Sequence, residues 1–342
     1  MTFDTATSIL KKEFCSIERD KTVKHIIIDL LGGEPLLNFE LISLLTEWIY
    51  NNPPRTTFEL NVRTNGTLLS ERIKNWFLEN KNKINLGLSL DGLGKMQKEG
   101  RTDFPIDIDF FIKNWPHRRI NIVVFNDTAQ YLADAVSGLR KKGALFSVDI
   151  ACGINWTKSA ASDLLQQLLQ LIPLYVSDPE EARESGLFKY RMRNVFPREK
   201  LTETFFCGDM TNIVAYSPDG KDYCCHMFTP IVIGKDLAEK FRHFTLNKKT
   251  LPIEERCAAC PWVRDCKICF AMNAKIHGSV YKSASPQTTC LAVNALGIAS
   301  SYFFVEELKY RMENKLYIAP DELQLGSNVL ELLSDFDKLE HI

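Results

Sequence analysis

The stretch that decides the fold reads His25-Ile-Ile-Ile-Asp-Leu-Leu-Gly-Gly-Glu-Pro35, an apolar run followed by a glycine-rich turn. The run from His25 to Leu31 has the length of a strand and is largely apolar, which is typical of a parallel strand covered on both faces. Gly32 and Gly33 then allow a tight turn, and Pro35 suits the first position of a helix. The stretch therefore predicts a strand that passes into a helix.

Strand and helix patterns alternate along the first half of the chain. Further strands are predicted at 58–62, 84–90, 120–125 and 145–150, and helices at 5–19, 36–50, 68–80 and 129–142. This alternation predicts an α/β unit with a parallel sheet and right-handed crossovers. Three turns, at 32–35, 64–66 and 89–92, follow successive strands, and ligands of such sheets bind at the carboxyl ends of strands.

The second half of the chain is less regular. Leucines at helical spacing predict a packed helix at 159–172, and the charged stretch Asp178–Leu201 is interpreted as an irregular connector. Residues 213–223 predict a β-hairpin that turns at Pro218-Asp219-Gly220. A last helix is predicted at 295–313, followed by a partly helical tail.

The composition is that of an ordinary globular protein. Of 342 residues, 45% are hydrophobic and 25% charged, and the formal net charge is −1. A nearly neutral chain has no general attraction for nucleic acid or anionic membranes, so neither is expected as a partner. We saw no apolar run near the ~20 residues that span a bilayer. A cytoplasmic location is therefore expected.

Eight of the ten cysteines lie between Cys207 and Cys290, which indicates a shared role. Cys257 and Cys260 are two residues apart, a spacing that lets one turn bring two thiolates to a metal site. Disulfides are the alternative, but they suit small secreted domains, and this long chain opens without an export signal. Soft sulfur ligands fit zinc and iron–sulfur clusters alike, and eight cysteines suffice for two four-thiolate sites.

The turns and cysteines together resemble the radical S-adenosylmethionine (SAM) enzymes with a SPASM domain, which include peptide maturases and anaerobic sulfatase-maturing enzymes. The resemblance rests on Gly-Gly-Glu-Pro, Thr-Asn-Gly-Thr-Leu-Leu and Ser-Leu-Asp-Gly after successive strands and on the multi-cysteine tail, and it covers residues 3 to about 300. It implies that the SAM amino group is held by Gly32, Gly33, Glu34 and Pro35. It also implies that Ser89 and Arg101 contact the rest of SAM.

The resemblance further implies two auxiliary 4Fe–4S clusters. One maps to Cys257, Cys260, Cys266 and Cys290. The other maps to Cys207, Cys225 and Cys269, and its fourth ligand is either Cys224 or an iron position left open to substrate. Cys269 departs from the family pattern, because two residues separate it from Cys266 where the pattern has three.

His226 is a second departure, since it stands where the sulfatase-maturing branch places a catalytic aspartate. It is interpreted either as a base that works near neutral pH or as a structural, hydrogen-bonding residue. A third departure concerns the C-x3-C-x2-C loop of the SAM-cleaving cluster, a spacing that the sequence does not contain. We therefore expect a chain that begins after that loop and lacks the first barrel strand. Cys15 and Cys152 are too isolated in sequence to replace the loop, and Cys15 is expected to be a small buried side chain.

The implied architecture is α/β with four parts. They are a partial (β/α)6 TIM-like radical SAM barrel without its first strand at 1–155, a helical connector at 156–205, a small cysteine-rich α+β SPASM domain at 206–295, and a C-terminal helix and tail at 296–342.

The implied function is that of a peptide- or protein-modifying maturase. Its expected ligands are two auxiliary 4Fe–4S clusters and SAM, and its expected partners are a peptide or protein substrate and an electron donor such as a flavodoxin or ferredoxin. Without the SAM-cleaving motif the chain is expected not to start the radical reaction alone, which leaves open whether it is an enzyme. The alternative is a non-catalytic iron–sulfur module that binds a peptide or a partner enzyme. A structural zinc protein would explain the cysteine pairs but not the turns.

Overall fold

The computed structural model describes residues 1–100, 103–196, 203–205, 212–244, 250–252, 255–258, 260–266, 269–280 and 287–338. Two residues that the sequence analysis assigned to sites, Arg101 and Cys207, lie outside the described residues.

Strands and helices alternate through the first half of the chain. The strands are β1 (His25–Leu30), β2 (Thr57–Thr64), β3 (Asn85–Leu88), β4 (Ile120–Val124) and β5 (Phe146–Ile150). The helices are α1 (Phe3–Arg19), α2 (Phe39–Asn51), α3 (Glu71–Glu79), α4 (Lys95–Gly100), α5 (Ile108–Asn114), α6 (Leu132–Lys141) and α7 (Lys158–Tyr175). The predicted strands are confirmed, but β1 is not covered on both faces, because its side chains alternate between exposed and half-buried and Ile27 is 61% exposed. The short helices α4 and α5 were not predicted, because six or seven residues are too few for helical periodicity to show.

The strands are parallel and share one direction. β1, β2 and β3 are neighbours in that order, and β4 pairs with β5. A single bridge between Ser89 and Asn121 joins the two sets, with Leu90 N donating to Asn121 O at 2.9 Å. Later in the chain, residues near Ser185 lie beside β5, where Val148 N donates to Ser185 O at 2.7 Å. The carboxyl ends of all five strands therefore lie along one edge.

The main hydrophobic core lies between these strands and the helices that cover them. Phe77 of α3 is completely buried, with 0% of its surface exposed. Its ring centre is 6.3 Å from that of Phe39 and 6.4 Å from that of Trp115. Because aromatic side chains bury large apolar areas, this group holds α2 and α3 against the sheet.

The second half of the chain is made of short elements before two long helices. They are α8 (Pro179–Glu184), α9 (Met192–Val195), β6 (Glu203–Phe205), β7 (Ala215–Tyr216), β8 (Asp222–Tyr223), α10 (Pro230–Ile233), α11 (Lys235–Lys240), β9 (Thr250–Pro252), α12 (Glu255–Ala258), α13 (Phe270–His277), α14 (Gln287–Glu313) and α15 (Pro320–Lys338). The hairpin prediction is confirmed, since β7 and β8 pair antiparallel. Two short helices, α8 and α9, form within the stretch 178–201 that was predicted to be irregular. A smaller core, which includes Tyr223, Phe228 and Phe270, packs β8, α10, α11 and α13 together.

Helix α14 is longer and more apolar than predicted. Its part Thr289–Glu313 is long and apolar enough to cross a membrane by length and composition. However, 67% of its most apolar window is buried within the protein. It packs along α7, and Phe303 stacks on Phe188 with ring centres 4.4 Å apart. These contacts are those of a core helix.

The core predicts a large stability difference between two neighbouring positions of α3. Phe77→Ala should lower the free energy of unfolding by about 3–5 kcal/mol, because a buried ring is replaced by a cavity. Leu78→Ala is the matched control, since Leu78 is 40% exposed on the same helix, and its cost should stay below about 1 kcal/mol. Urea-induced unfolding measures both. Equal costs for the two variants would contradict the described core.

Candidate functional site

The first turn at the strand edge leaves open space beside its glycines. Gly32 and Gly33 follow β1 and are exposed. A Cβ added at Gly32 would meet no atom within 4 Å, and one at Gly33 would meet only Ile231 Cδ1, at 3.9 Å. A ligand can therefore approach the backbone of this turn closely, as the glycines would allow.

Glu34 ties the first two turns together. Its Oε1 accepts hydrogen bonds from Thr64 Oγ1 at 2.7 Å and from Leu36 N at 3.1 Å. Its Oε2 accepts from Asn65 N at 2.8 Å. Since both oxygens are engaged within the protein, the groups that this turn offers to a ligand are mainly those of its exposed backbone. Pro35 then opens a 3₁₀ helix at Pro35–Asn38.

The third turn is fixed largely by its own contacts. Ser89 is half-buried at the end of β3, and its N donates to Thr64 O at 2.8 Å. Asp91 is buried, and its N donates to Gln97 Oε1 at 2.8 Å. Gln97 Nε2 is buried too and has no hydrogen-bond partner among the described residues. No sequence pattern points to Gln97, because one glutamine on a six-residue helix belongs to no recognisable pattern.

Four predicted metal ligands form cysteine group I, defined as Cys257, Cys260, Cys266 and Cys290. Cys260 and Cys266 pack against the main core. Burial, followed by the thiols of the other three members, raises the pKa of the Cys266 thiol to about 12. The structure thus brings together residues that are up to 33 positions apart in the sequence.

Three further predicted ligands form cysteine group II, defined as Cys224, Cys225 and Cys269. All three belong to the smaller core or pack against it. Burial, followed by the Cys225 thiol, raises the pKa of the Cys224 thiol to about 11. His226 is exposed, and its Nδ1 lies 3.7 Å from Cys225 Sγ. The structure therefore places His226 against a predicted ligand.

Within the part of the chain that the structure describes, no three His, Cys, Asp or Glu side chains are arranged to hold one metal ion. A tetrahedral zinc needs its four sulfurs within about 4 Å of one another, because each Zn–S bond is about 2.3 Å long. A 4Fe–4S cluster spreads its thiolates more widely, since each binds a different iron.

The loop that carries Cys260 and Cys266 is anchored on the segment that follows the sheet. Asp265 Oδ1 accepts from Asn194 Nδ2 at 2.7 Å, and Asp265 Oδ2 accepts from Arg191 N at 3.0 Å. Trp262 lies edge-on to Tyr190, with ring centres 5.9 Å apart. Burial raises the pKa of the Tyr190 hydroxyl, and the Cys266 thiol adds to the shift. These contacts hold group I at the same edge as the turns.

The two cysteines outside the motif lie in different surroundings. Cys15 is exposed on α1, so the prediction of a buried side chain was wrong. It fails because Phe14 takes the buried face of the helix at that point. Cys152, which is isolated in sequence, lies close enough to Cys266 for its thiol to raise the pKa of that residue.

Comparison with known proteins finds one relative by sequence and several solved structures with a similar fold. No family model matches the chain. An uncharacterised protein of Methanocaldococcus jannaschii, MJ0907, is 28% identical over 188 residues, which are 52% of this chain and 60% of the relative. The match thus spans less than two thirds of the length of that relative.

Among the solved structures that resemble the chain are those of anSMEcpe, an anaerobic sulfatase-maturating enzyme of the radical SAM SPASM type. Its complex with AdoMet (SAM) superposes with a TM-score of 0.56 at 17% identity, over 90% of this chain and 86% of the enzyme. The complex with AdoMet and the Cp18Cys peptide gives 0.55 at 18% identity, over 85% and 87%. This chain shares its fold with that enzyme. At this identity the likeness concerns the fold, so the function is argued below from the site.

The bonds of Glu34 predict its contribution to stability. Glu34→Gln replaces one accepting oxygen with an NH2 group that would face the Thr64 hydroxyl or the Asn65 amide. The free energy of unfolding should fall by about 1–3 kcal/mol, the usual cost of leaving a part-buried polar group without its hydrogen bond. Glu40→Gln is the control, because Glu40 is an exposed partner of Arg72 and should cost less than about 1 kcal/mol. Similar urea midpoints for the two variants would contradict the role of the Glu34 hydrogen bonds in joining the first two turns.

Proposed function

We propose that the chain is a radical SAM/SPASM protein of the peptide- or protein-modifying type, which binds two auxiliary 4Fe–4S clusters and SAM. The observation that carries the proposal is that the cysteine-rich segment contacts the turns after β1 and β5. Ile231 lies against Gly33 after β1, and Met272 lies against Gly153 after β5. Residues of the cysteine-rich segment are thus beside the strand ends where a ligand of the sheet would bind.

In this proposal the two cysteine groups hold the clusters. Group I provides four thiolates, which is the full ligand set of one 4Fe–4S cluster. Group II provides three, and Cys207 would complete it. Cys224 is then the fourth ligand rather than an open iron position, because its side chain packs against the same small core as Cys225 and Cys269.

The chain's own residues would prepare the SAM site. The open backbone at Gly32 and Gly33 receives the amino group, and Glu34 fixes the turn from behind. Ser89 and Arg101 would contact the rest of the molecule. SAM supplies the chemistry of hydrogen abstraction when it is bound and reduced by a cluster, while the protein supplies binding and orientation.

His226 has two roles open to it in a maturase. Its contact with Cys225 Sγ suits a hydrogen bond to a cluster ligand, and its exposure suits proton exchange with a bound substrate. We propose the first role, because the 3.7 Å contact is present within the chain itself.

A peptide substrate is supported by the complexes of anSMEcpe with peptides. A flavodoxin or ferredoxin would be the electron donor.

The sequence contains no C-x3-C-x2-C spacing. We therefore infer that these residues alone bind clusters and SAM without cleaving SAM. A non-catalytic iron–sulfur module that binds a peptide or a partner enzyme is the second candidate. It is favoured by the engagement of both Glu34 oxygens within the protein, whereas the open space at Gly32 favours a SAM site.

The cluster content tests the proposal. Anaerobic reconstitution with iron and sulfide should give about eight irons per chain, as two 4Fe–4S clusters require. Replacing Cys257 and Cys266 with alanine should remove about four of them, whereas Cys15→Ala, an exposed cysteine on α1, should remove none. Iron and sulfide analysis with electron paramagnetic resonance makes the measurement. Zinc in place of iron would overturn the proposal, and about twelve irons with 5′-deoxyadenosine formed would overturn the inference that SAM is not cleaved.

SAM binding separates the two candidate functions. Calorimetric titration of the reconstituted protein should show SAM binding that Gly32→Val weakens at least about tenfold, because the valine side chain would fill the space beside the turn. Leu31→Val is the matched control, since Leu31 is exposed one residue earlier and should leave the affinity unchanged. Unfolding midpoints of both variants confirm that they fold. Absence of SAM binding in the parent protein would favour the non-catalytic module.

A further inference from the structure

Strand β1 is an edge strand of the sheet. Its partner is β2, and no other strand in the described part of the chain pairs with its far side. Side chains on one of its two faces, Ile27 among them, are exposed. Natural proteins usually protect such an edge with lysine, proline or a bulge, because its unpaired backbone groups can bind another strand. The run His25–Leu30 contains no lysine or proline and keeps an unbroken register with β2, so its edge remains available for pairing.

The hydrogen-bond pattern shows which backbone groups of β1 point to the open edge. Ser89 N donates to Thr64 O, so the even-numbered residues of β2 direct their backbone groups to β3 and the odd-numbered ones direct theirs to β1. In a parallel pair, a residue that points at its neighbour bonds to the residues before and after the one opposite it. Odd-numbered residues of the two strands stand opposite each other, so the even-numbered residues of β1 make these bonds. The groups at the open edge therefore belong to His25, Ile27 and Asp29.

The sequence of β1 is complementary to a second copy of itself. When two such strands pair antiparallel about a two-fold axis at Ile27, His25 of each copy stands opposite Asp29 of the other. On the other face of the sheet, Ile26 of each copy stands opposite Ile28 of the other. Opposite-charge pairs and β-branched apolar pairs both stabilise antiparallel strands. Both faces of the pair are thus matched in this one register.

The side chains of His25 and Asp29 each keep one polar atom for this contact. His25 Nδ1 lies 3.0 Å from Thr57 Oγ1, and Asp29 Oδ1 accepts a hydrogen bond from Asn61 Nδ2 at 3.0 Å. Both side chains are exposed. No described residue bonds to His25 Nε2 or Asp29 Oδ2, and residues directly opposite have Cβ atoms about 4.5–5.5 Å apart. The two atoms can therefore meet across the axis.

We propose that β1 is a self-association strand, through which two copies of this chain form a two-fold dimer with one continuous sheet. His25, Ile27 and Asp29 of the two copies exchange about six backbone hydrogen bonds. Such a contact uses the same surface on both copies, so it closes at two chains and does not grow further. It includes none of the cysteines or turn residues that are proposed to bind clusters and SAM.

The variant Ile27→Lys tests the edge. The parent chain should sediment with the mass of two chains at about 100 µM, and Ile27→Lys should raise the dissociation constant at least about tenfold, because two ammonium groups then stand directly opposite each other. Leu330→Lys is the matched control, since Leu330 is a similarly exposed apolar residue on α15, and it should leave the dimer unchanged. Analytical ultracentrifugation before and after anaerobic reconstitution makes the measurement, and circular dichroism shows that each variant is folded.

A charge exchange tests the register. His25→Asp and Asp29→His alone each place like side chains opposite one another, so each should raise the dissociation constant about three- to tenfold. The double variant restores the opposite pair in reversed order and should return the constant to within about threefold of the parent value. Damage within one chain would not be repaired in this way, because His25 contacts Thr57 and Asp29 contacts Asn61.

The contrary outcomes are distinct. A parent chain that stays monomeric at about 100 µM would overturn the inference and leave the edge to a strand of a different protein. An Ile27→Lys variant that dimerises as tightly as the parent would overturn it too, as would a double variant no tighter than the single ones. Assemblies of more than two chains would contradict the two-fold axis. None of these results depends on iron or SAM, so the proposed function is judged by its own tests.

Discussion

The carboxylate of Glu34 is the contact on which the strand edge depends. It accepts hydrogen bonds from the end of β2 and from its own helix start, so it fixes the relative positions of two turns that no strand pairing reaches. Because the carboxylate is charged, each of these bonds is stronger than one between neutral groups. The neighbouring Gly32 and Gly33 can then remain open to a ligand, since the hydrogen bonds that hold the turn are made by Glu34 and not by the glycines.

The same principle positions the cysteine-rich segment. Asp265 accepts one side-chain and one backbone hydrogen bond from the region that follows the sheet, and it directly precedes a cysteine of group I. These two hydrogen bonds fix the position of the loop within the fold. The buried Trp262 and Tyr190 extend the contact and exclude water from it. The loop of cysteine group I is therefore held against the segment that follows the sheet by several contacts and not by its flanking chain alone.

Much of the fold could be predicted, because its signals are local. Apolar runs predicted the five strands, and leucine spacing predicted α7. The predictions that failed also have physical reasons. Helices α4, α5, α8 and α9 are too short for periodicity, and their ends are set by tertiary contacts such as the Asp107 cap of α5. On α1, periodicity gave the helix, but Cys15 falls beside Phe14 on the exposed face.

The site was predictable only where its residues are close in sequence. The spacing of Cys257, Cys260 and Cys266 indicates a metal site, and the position of the three turns after strands indicates a ligand site. Gln97 and Asp265 carry no such signal, because their roles appear only in the folded chain, where Gln97 contacts Asp91 N and Asp265 contacts residues more than 70 positions away. Strand ends that are remote in the chain become neighbours at one edge, so Glu34 after β1 meets Thr64 and Asn65 at the end of β2. The sheet topology, and not the motif, therefore sets which groups meet at this edge.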